Sequence, residues 1–145
     1  MRLYLDSTYV AKCYLNDPDS VAVRALVQEA TDLWSSSIAV AEVSCAIHRR
    51  FREGLLNWNQ ANSLIAAFYA HLDAGSWNLE PLTGEVLQLI KQRMVKAGRK
   101  VFLRAGDAIQ LASAHTAGFS EIWSNDRHLL QAASHFGLRG RAVQT

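Results

Sequence analysis

The sequence predicts an α/β fold in which helices cover both faces of a mostly parallel sheet. Short apolar runs alternate with amphipathic helical segments along nearly the whole chain. Parallel neighbouring strands need a crossover connection, which is usually a helix and is right-handed. No linker, repeat or low-complexity segment interrupts the alternation, so we expect one domain over residues 1–145.

Five short apolar runs, bounded by turn or capping residues, predict the strands. The predicted strands span residues 3–5, 33–36, 77–79, 122–124 and 139–143. The first run ends at Asp6 and the fourth is followed closely by Asp126. Pro81 closes the third run because it cannot donate a hydrogen bond to a sheet. The last run is short enough for an edge strand.

Seven segments with helical spacing of apolar residues predict the helices. The predicted helices span residues 7–15, 18–30, 38–52, 57–73, 83–98, 105–117 and 127–136. Ser7 and Thr8 offer oxygens to open the first helix, and Thr83 opens the fifth. Asn57 followed by Gln60 resembles a capping box at the start of the fourth. Glycines follow most of these segments and are typical helix ends.

Asp6 and Asp126 stand just beyond the carboxyl ends of predicted strands. Ligands of open α/β sheets bind at this edge, usually where the strand order reverses. Either acid could instead simply cap the helix that follows it, because Asp is a common N-cap residue. For each acid alone, both interpretations stay open.

Glu42 interrupts a helix whose other residues are mostly small or apolar. The predicted inward stripe of this helix is Ile38, Ala41, Cys45 and Phe51. Burying an ionised carboxylate costs several kcal/mol or more unless something compensates the charge. Glu42 therefore needs a metal or another cation, or it lies on a solvated stripe of its helix.

Asp107 lies near the start of the sixth helix, in a run of small and apolar residues. By itself it could merely complement the helix dipole, which is worth about 0.3 to 1 kcal/mol. Together with Asp6, Glu42 and Asp126 it favours a site for a hard divalent cation. Oxygen ligands without clustered Cys or His suit Mg²⁺ or Mn²⁺ rather than zinc.

Phosphodiester hydrolysis is the chemistry that suits such an acidic site. The sequence lacks a Gly-x-x-x-x-Gly-Lys-[Ser/Thr] loop and a Gly-x-Gly-x-x-Gly turn, and Thr8 stands where an aspartyl phosphatase has a second acid. Nucleotide hydrolysis, dinucleotide binding and aspartyl-phosphatase chemistry are thus disfavoured.

Basic residues are unevenly placed, although the formal net charge is only +2. Arg99, Lys100 and Arg104 come shortly before Asp107, and we expect them to contact an RNA backbone. They could equally be solvated side chains at a helix end, where cations complement the dipole.

These motifs resemble those of the PIN-domain nucleases, and specifically the VapC toxins of type II toxin-antitoxin pairs. The resemblance covers essentially the whole chain. Its main segments are Tyr4–Ser7, Ile38–Val43, Gly106–Ala112 and Trp123–Leu129. It implies that Asp6, Glu42, Asp107 and Asp126 are metal-binding and catalytic acids. It also implies that Ser7 and Ser124 supply hydroxyls; the family more often has Thr at the second position.

The resemblance further implies a three-layer PIN-like fold with a parallel five-stranded sheet, a homodimer, and a small antitoxin partner. We expect a Mg²⁺-dependent endoribonuclease toxin, with Mn²⁺ as a possible substitute, acting on structured RNA such as transfer RNA. The alternatives are a housekeeping PIN nuclease that processes RNA without an antitoxin, and a non-catalytic α/β binding module. No apolar stretch is long enough for a membrane span, and the early Asp6 is unlike a secretory signal, so we expect a cytoplasmic protein.

Overall fold

Strands and helices alternate along the chain in the computed structural model, which describes residues 1–144. Within this range the strands are β1 (Arg2–Tyr4), β2 (Asp32–Ser36), β3 (Asn78–Glu80), β4 (Glu121–Trp123) and β5 (Arg139–Arg141). The helices are α1 (Ser7–Lys12), α2 (Ser20–Glu29), α3 (Ala39–Arg52), α4 (Trp58–Asp73), α5 (Gly84–Met94), α6 (Ala105–Thr116) and α7 (Arg127–Ala132), with a 3-10 helix (Ala133–Phe136) after α7. The predicted alternation is confirmed.

The strands pair in parallel in two groups. β1 pairs with β2 and β2 with β3, while β4 pairs with β5. A parallel bridge between Leu5 and Trp123 joins the groups, and the Asp6 N–H donates to the Trp123 carbonyl at 3.0 Å. The five strands therefore run in the order β3-β2-β1-β4-β5, as the predicted parallel sheet requires. The chain adds β2 and β3 on one side of β1, and later adds β4 and β5 on the other side. The strand order therefore reverses between β1 and β4.

Helices cover both faces of this sheet, and each face has its own apolar core. Tyr4 belongs to the core that contains Leu111 and Phe136 of α6 and the 3-10 helix. Leu5, the next residue, belongs to the core that contains Val43 of α3. Successive side chains of a strand point to opposite faces, so one strand supplies both cores. The predicted three-layer arrangement is confirmed.

Helix α3 presents a different face to the core from the one predicted. The buried residues are Ala39, Val43 and Ile47, whereas Cys45 is exposed. Residues 39–47 of this helix are all small or apolar except Glu42, so spacing alone does not select a face there. Packing against α1 and α4 selects it instead.

Helix α5 ends at Met94, four residues before the predicted end. Val95 is 84% exposed, so a longer helix would gain no buried apolar surface there. The segment 95–104 consequently runs without helical structure to the start of α6. No helix within residues 1–144 has the length and apolar character needed to cross a bilayer.

Candidate active site

Four acidic side chains line one cavity of about 260 Å³ where the strand order reverses. Asp6 follows β1 and Asp126 follows β4. Glu42 comes from the first turn of α3, and Asp107 from the first turn of α6. The structure thus brings together the four acids singled out in the sequence, from four separate elements. Further lining residues are Ser7, Thr8, Arg104, Gly106, Gln110 and Leu129.

Asp6 is the most deeply placed of these acids, with 3% of its surface exposed. Its Oδ1 accepts hydrogen bonds from the Tyr9 N–H at 3.1 Å and from Thr8 Oγ1 at 2.7 Å. Its Oδ2 accepts one from Ser124 Oγ at 2.7 Å. Burial raises the pKa of Asp6 to about 6, against the opposing effect of these hydrogen bonds.

The capping of α1 follows one of the two expectations drawn from the sequence. Asp6, rather than Ser7 or Thr8, is the N-cap residue, because its side chain accepts the Tyr9 N–H. Capping and a place in the cavity are therefore not alternatives for Asp6. The same holds for Asp126, whose Oδ1 accepts the N–H groups of His128 and Leu129 at the start of α7.

Glu42 lies at the exposed mouth of the cavity, so the burial cost considered for it from the sequence does not apply. A chain of side-chain hydrogen bonds connects it to the core. Tyr4 OH donates to Gln110 Oε1 at 2.8 Å, and Gln110 Nε2 donates to Ser7 Oγ at 2.7 Å. Ser7 Oγ in turn donates to Glu42 Oε1 at 2.7 Å. Buried Gln110 thereby fixes the hydroxyl that orients the Glu42 carboxylate.

Gly106 allows α6 to approach Glu42 closely. A Cβ atom on Gly106 would stand 2.7 Å from Glu42 Oε2, too near for any ordinary contact. Any larger residue at this position would displace the carboxylate, which is the far end of a flexible and exposed side chain, so the glycine lets Glu42 keep its place in the cavity. The sequence pattern did not single out Gly106, Gln110 or Thr8 for a role in the site, because their partners are set by tertiary contacts.

Arg104 enters the cavity and bridges two of the acids. Its Nε lies 3.2 Å from Asp107 Oδ2, and its Nη2 contacts Asp126 Oδ2. Hydrogen bonding to Asp107 is the main cause that raises the pKa of Arg104. Arg99 and Lys100, the other two expected RNA contacts, are exposed on the segment before α6 and do not line the cavity.

Within residues 1–144, no three acidic, histidine or cysteine side chains are placed closely enough to hold one ion as they stand. Each carboxylate instead has a protein partner: a hydroxyl for Asp6 and Glu42, and Arg104 for Asp107 and Asp126. The donor set nevertheless fits a hard divalent cation, because it consists of carboxylate and hydroxyl oxygens. Asp6 in addition is buried without a cationic partner in the described part of the chain.

The parallel sheet with acids at its central switch point defines the class to which this chain belongs. The family profile of the PIN domain matches residues 3–134. The chain is a member of the PIN domain family.

Solved structures share this fold at low sequence identity. FitAcB from Neisseria gonorrhoeae superposes with a TM-score of 0.70 at 19% identity, covering 97% of this chain and 96% of that one. VapC20 of Mycobacterium tuberculosis, a sarcin-ricin loop cleaving toxin, has a TM-score of 0.68 at 15% identity, covering 94% and 98%. VapBC2 from Rickettsia felis, bound to a fragment of promoter DNA, has a TM-score of 0.68 at 13% identity, covering 99% and 100%. No curated protein shows significant sequence similarity.

Proposed function

We propose that this PIN-domain protein is a cytoplasmic, divalent-metal-dependent endoribonuclease that acts as the toxin of a toxin-antitoxin pair. Its catalytic and metal-binding acids are Asp6, Glu42, Asp107 and Asp126. The observation that carries the proposal is their convergence from four elements on one cavity at the switch point of the sheet. Membership of the family and the likeness in fold to toxins support it.

Asp6, Glu42, Asp107 and Asp126 are the residues that would hold Mg²⁺ or Mn²⁺. A divalent ion in such a site activates water and neutralises charge on a phosphate during in-line displacement. Ser124 and Thr8 hold the two Asp6 oxygens in place, and Ser7 holds Glu42 toward the cavity.

Arg104 has to leave Asp107 and Asp126 before their oxygens can face a cation. Its side chain is more than half exposed, so water solvates the released guanidinium and breaking the two ion pairs costs little free energy. Once released, the guanidinium can bind the RNA phosphate in bidentate fashion at the mouth of the cavity. Arg99 and Lys100 extend the positive charge along the exposed segment before α6.

We infer a small antitoxin protein that blocks the cavity, a homodimer, and structured RNA such as transfer RNA as substrate. The solved relatives FitAcB and VapBC2 support a partner of this kind through the complexes that their names describe.

Expression of the chain alone, followed by mapping of new RNA 5′ ends, tests the activity. Asp107→Asn should abolish both the new ends and growth arrest, because a metal ligand is lost while the side chain keeps its size. Glu85→Gln is the matched control, since Glu85 occupies the first turn of α5 and lies outside the cavity. An Asp107→Asn protein that is folded and cuts like the control would refute the proposal.

Two further measurements separate the alternatives. If a small protein is encoded next to this chain, its co-expression should abolish arrest for a toxin, whereas a housekeeping nuclease would be unaffected. Calorimetry with Mg²⁺ or Mn²⁺ should show saturable binding that Asp107→Asn weakens. A non-catalytic binding module would show none.

A further inference from the structure

We infer that Phe102 and His128 form a stacking subsite beside the acidic cavity, which binds an unpaired base of single-stranded RNA next to the cleaved bond. This inference rests on the proposed nuclease function and specifies the form of RNA that the site accepts.

The Phe102 and His128 rings lie against each other in a tilted arrangement. Their centroids are 4.2 Å apart and their planes are inclined by 33°. Phe102 is 51% exposed even though it is a large apolar side chain. One side of its ring is thus supported by His128, while a large part of its surface stays open to a ligand.

The pair is tied to two residues that line the cavity, Arg104 and Asp126. Phe102 is two residues before Arg104, and His128 is two residues after Asp126. Arg104 contacts Asp126, and the His128 N–H donates to Asp126 Oδ1 at 2.9 Å. The segment before α6 and the start of α7 therefore contact each other twice, once through an ion pair and once through the rings. The base of the nucleotide next to one bound at Asp126 would be within reach of the two rings.

The charge around Phe102 favours RNA over an apolar peptide as the occupant. Lys96, Arg99 and Lys100 are all exposed on the same segment. An aromatic face flanked by cations is the usual platform for single-stranded nucleic acid, since the cations follow the backbone and the ring stacks on a base. A base in a duplex is already stacked on its neighbours, so the subsite selects loops and single strands.

Binding of a single-stranded RNA oligonucleotide that carries 2-aminopurine tests the inference, with Asp107→Asn in every protein to prevent cleavage. Phe102→Ala should weaken binding about 5- to 150-fold, the range for one stacked base, and should abolish quenching of the 2-aminopurine. Phe102→Trp should restore both signals. Duplex RNA of the same sequence should bind equally to all variants, and Trp58→Ala, which removes an aromatic ring that is 62% exposed on α4, should match the parent.

Unchanged affinity and quenching in Phe102→Ala would overturn the inference while leaving the nuclease proposal intact. Equal losses for single-stranded and duplex RNA would also overturn it, because a stacking subsite does not affect duplex binding. If Phe102→Ala altered only the affinity for the antitoxin, the ring would be a protein contact instead. A wild-type protein that neither bound nor cut RNA would refute the proposed function, and this inference with it.

Discussion

Replacement of Gly106 by alanine would change the geometry of the cavity while leaving the stability of the fold nearly unchanged. The added Cβ would stand 2.7 Å from Glu42 Oε2, whereas ordinary contact begins at 3.4 Å. The carboxylate therefore has to retreat by at least ~0.7 Å, and its hydrogen bond from Ser7 has to lengthen or break. Glu42 is exposed, so its movement costs little folding energy.

We expect the free energy of unfolding to stay within about 1 kcal/mol of the parent value, because alanine favours a helix over glycine by up to about this amount. The cleavage rate should nevertheless fall by about 10- to 100-fold, since misplacing a positioned group by about 1 Å can cost a hundredfold. Chemical denaturation and single-turnover cleavage of an RNA oligonucleotide measure the two quantities.

Gly84→Ala is the matched control for Gly106→Ala. Gly84 begins α5, and a Cβ there would meet nothing within 4 Å. It should gain the same helix stability without any loss of cleavage. If both variants cut RNA at the parent rate, the position of Glu42 has no part in catalysis and the reasoning about this cavity fails.

Three further substitutions probe the same cavity. Burial raises the pKa of Asp6 to about 6 from 3.8, so the folded state favours the protonated carboxyl group. This contribution to the free energy of unfolding is complete below about pH 4 and is lost as pH rises through 6. Asp6→Asn should thus stabilise the metal-free protein by up to about 3 kcal/mol at pH 7 while abolishing cleavage; denaturation across pH 4 to 7 that shows no gain contradicts this. Arg104→Gln should raise the affinity for Mg²⁺ by up to about 10-fold in calorimetry, because a competing cation leaves Asp107 and Asp126; a weaker affinity would count against competition. Gln110→Ala should lower the free energy of unfolding by about 1 to 3 kcal/mol, since it leaves buried partners without a hydrogen bond. An equal stability of Gln110→Ala and the parent in denaturant would exclude that role.

The order of strands and helices was predictable because capping residues and apolar runs act locally. Asn57 and Gln60 form the capping box that their spacing suggests. The inward face of α3 was not predictable, because residues 39–47 are nearly all small or apolar and tertiary packing decides which of them are buried. The end of α5 was missed for a related reason, since only the tertiary structure shows that Val95 has nothing to pack against.

The acids of the candidate site could be found from strand ends and from their unusual neighbours. The hydrogen-bond and ion-pair partners of the site residues could not be found in this way. Tyr4 and Gln110 are 106 positions apart in sequence, and only the fold makes their hydrogen bond visible. Arg104 was predicted to contact RNA, but no local pattern indicates that its guanidinium turns inward to Asp107 and Asp126.

The bridge between Leu5 and Trp123 has a consequence for biosynthesis. The first strand of the chain can pair with β4 only after residue 123 has been made. Ser124 and Asp126, which complete the cavity, follow within the next three positions. Until then, a growing polypeptide lacks one carboxylate and the hydroxyl that holds Asp6. Under the proposed function, a chain that ends upstream of these residues would be inactive, and only nearly full-length product would cut RNA in the cell that makes it.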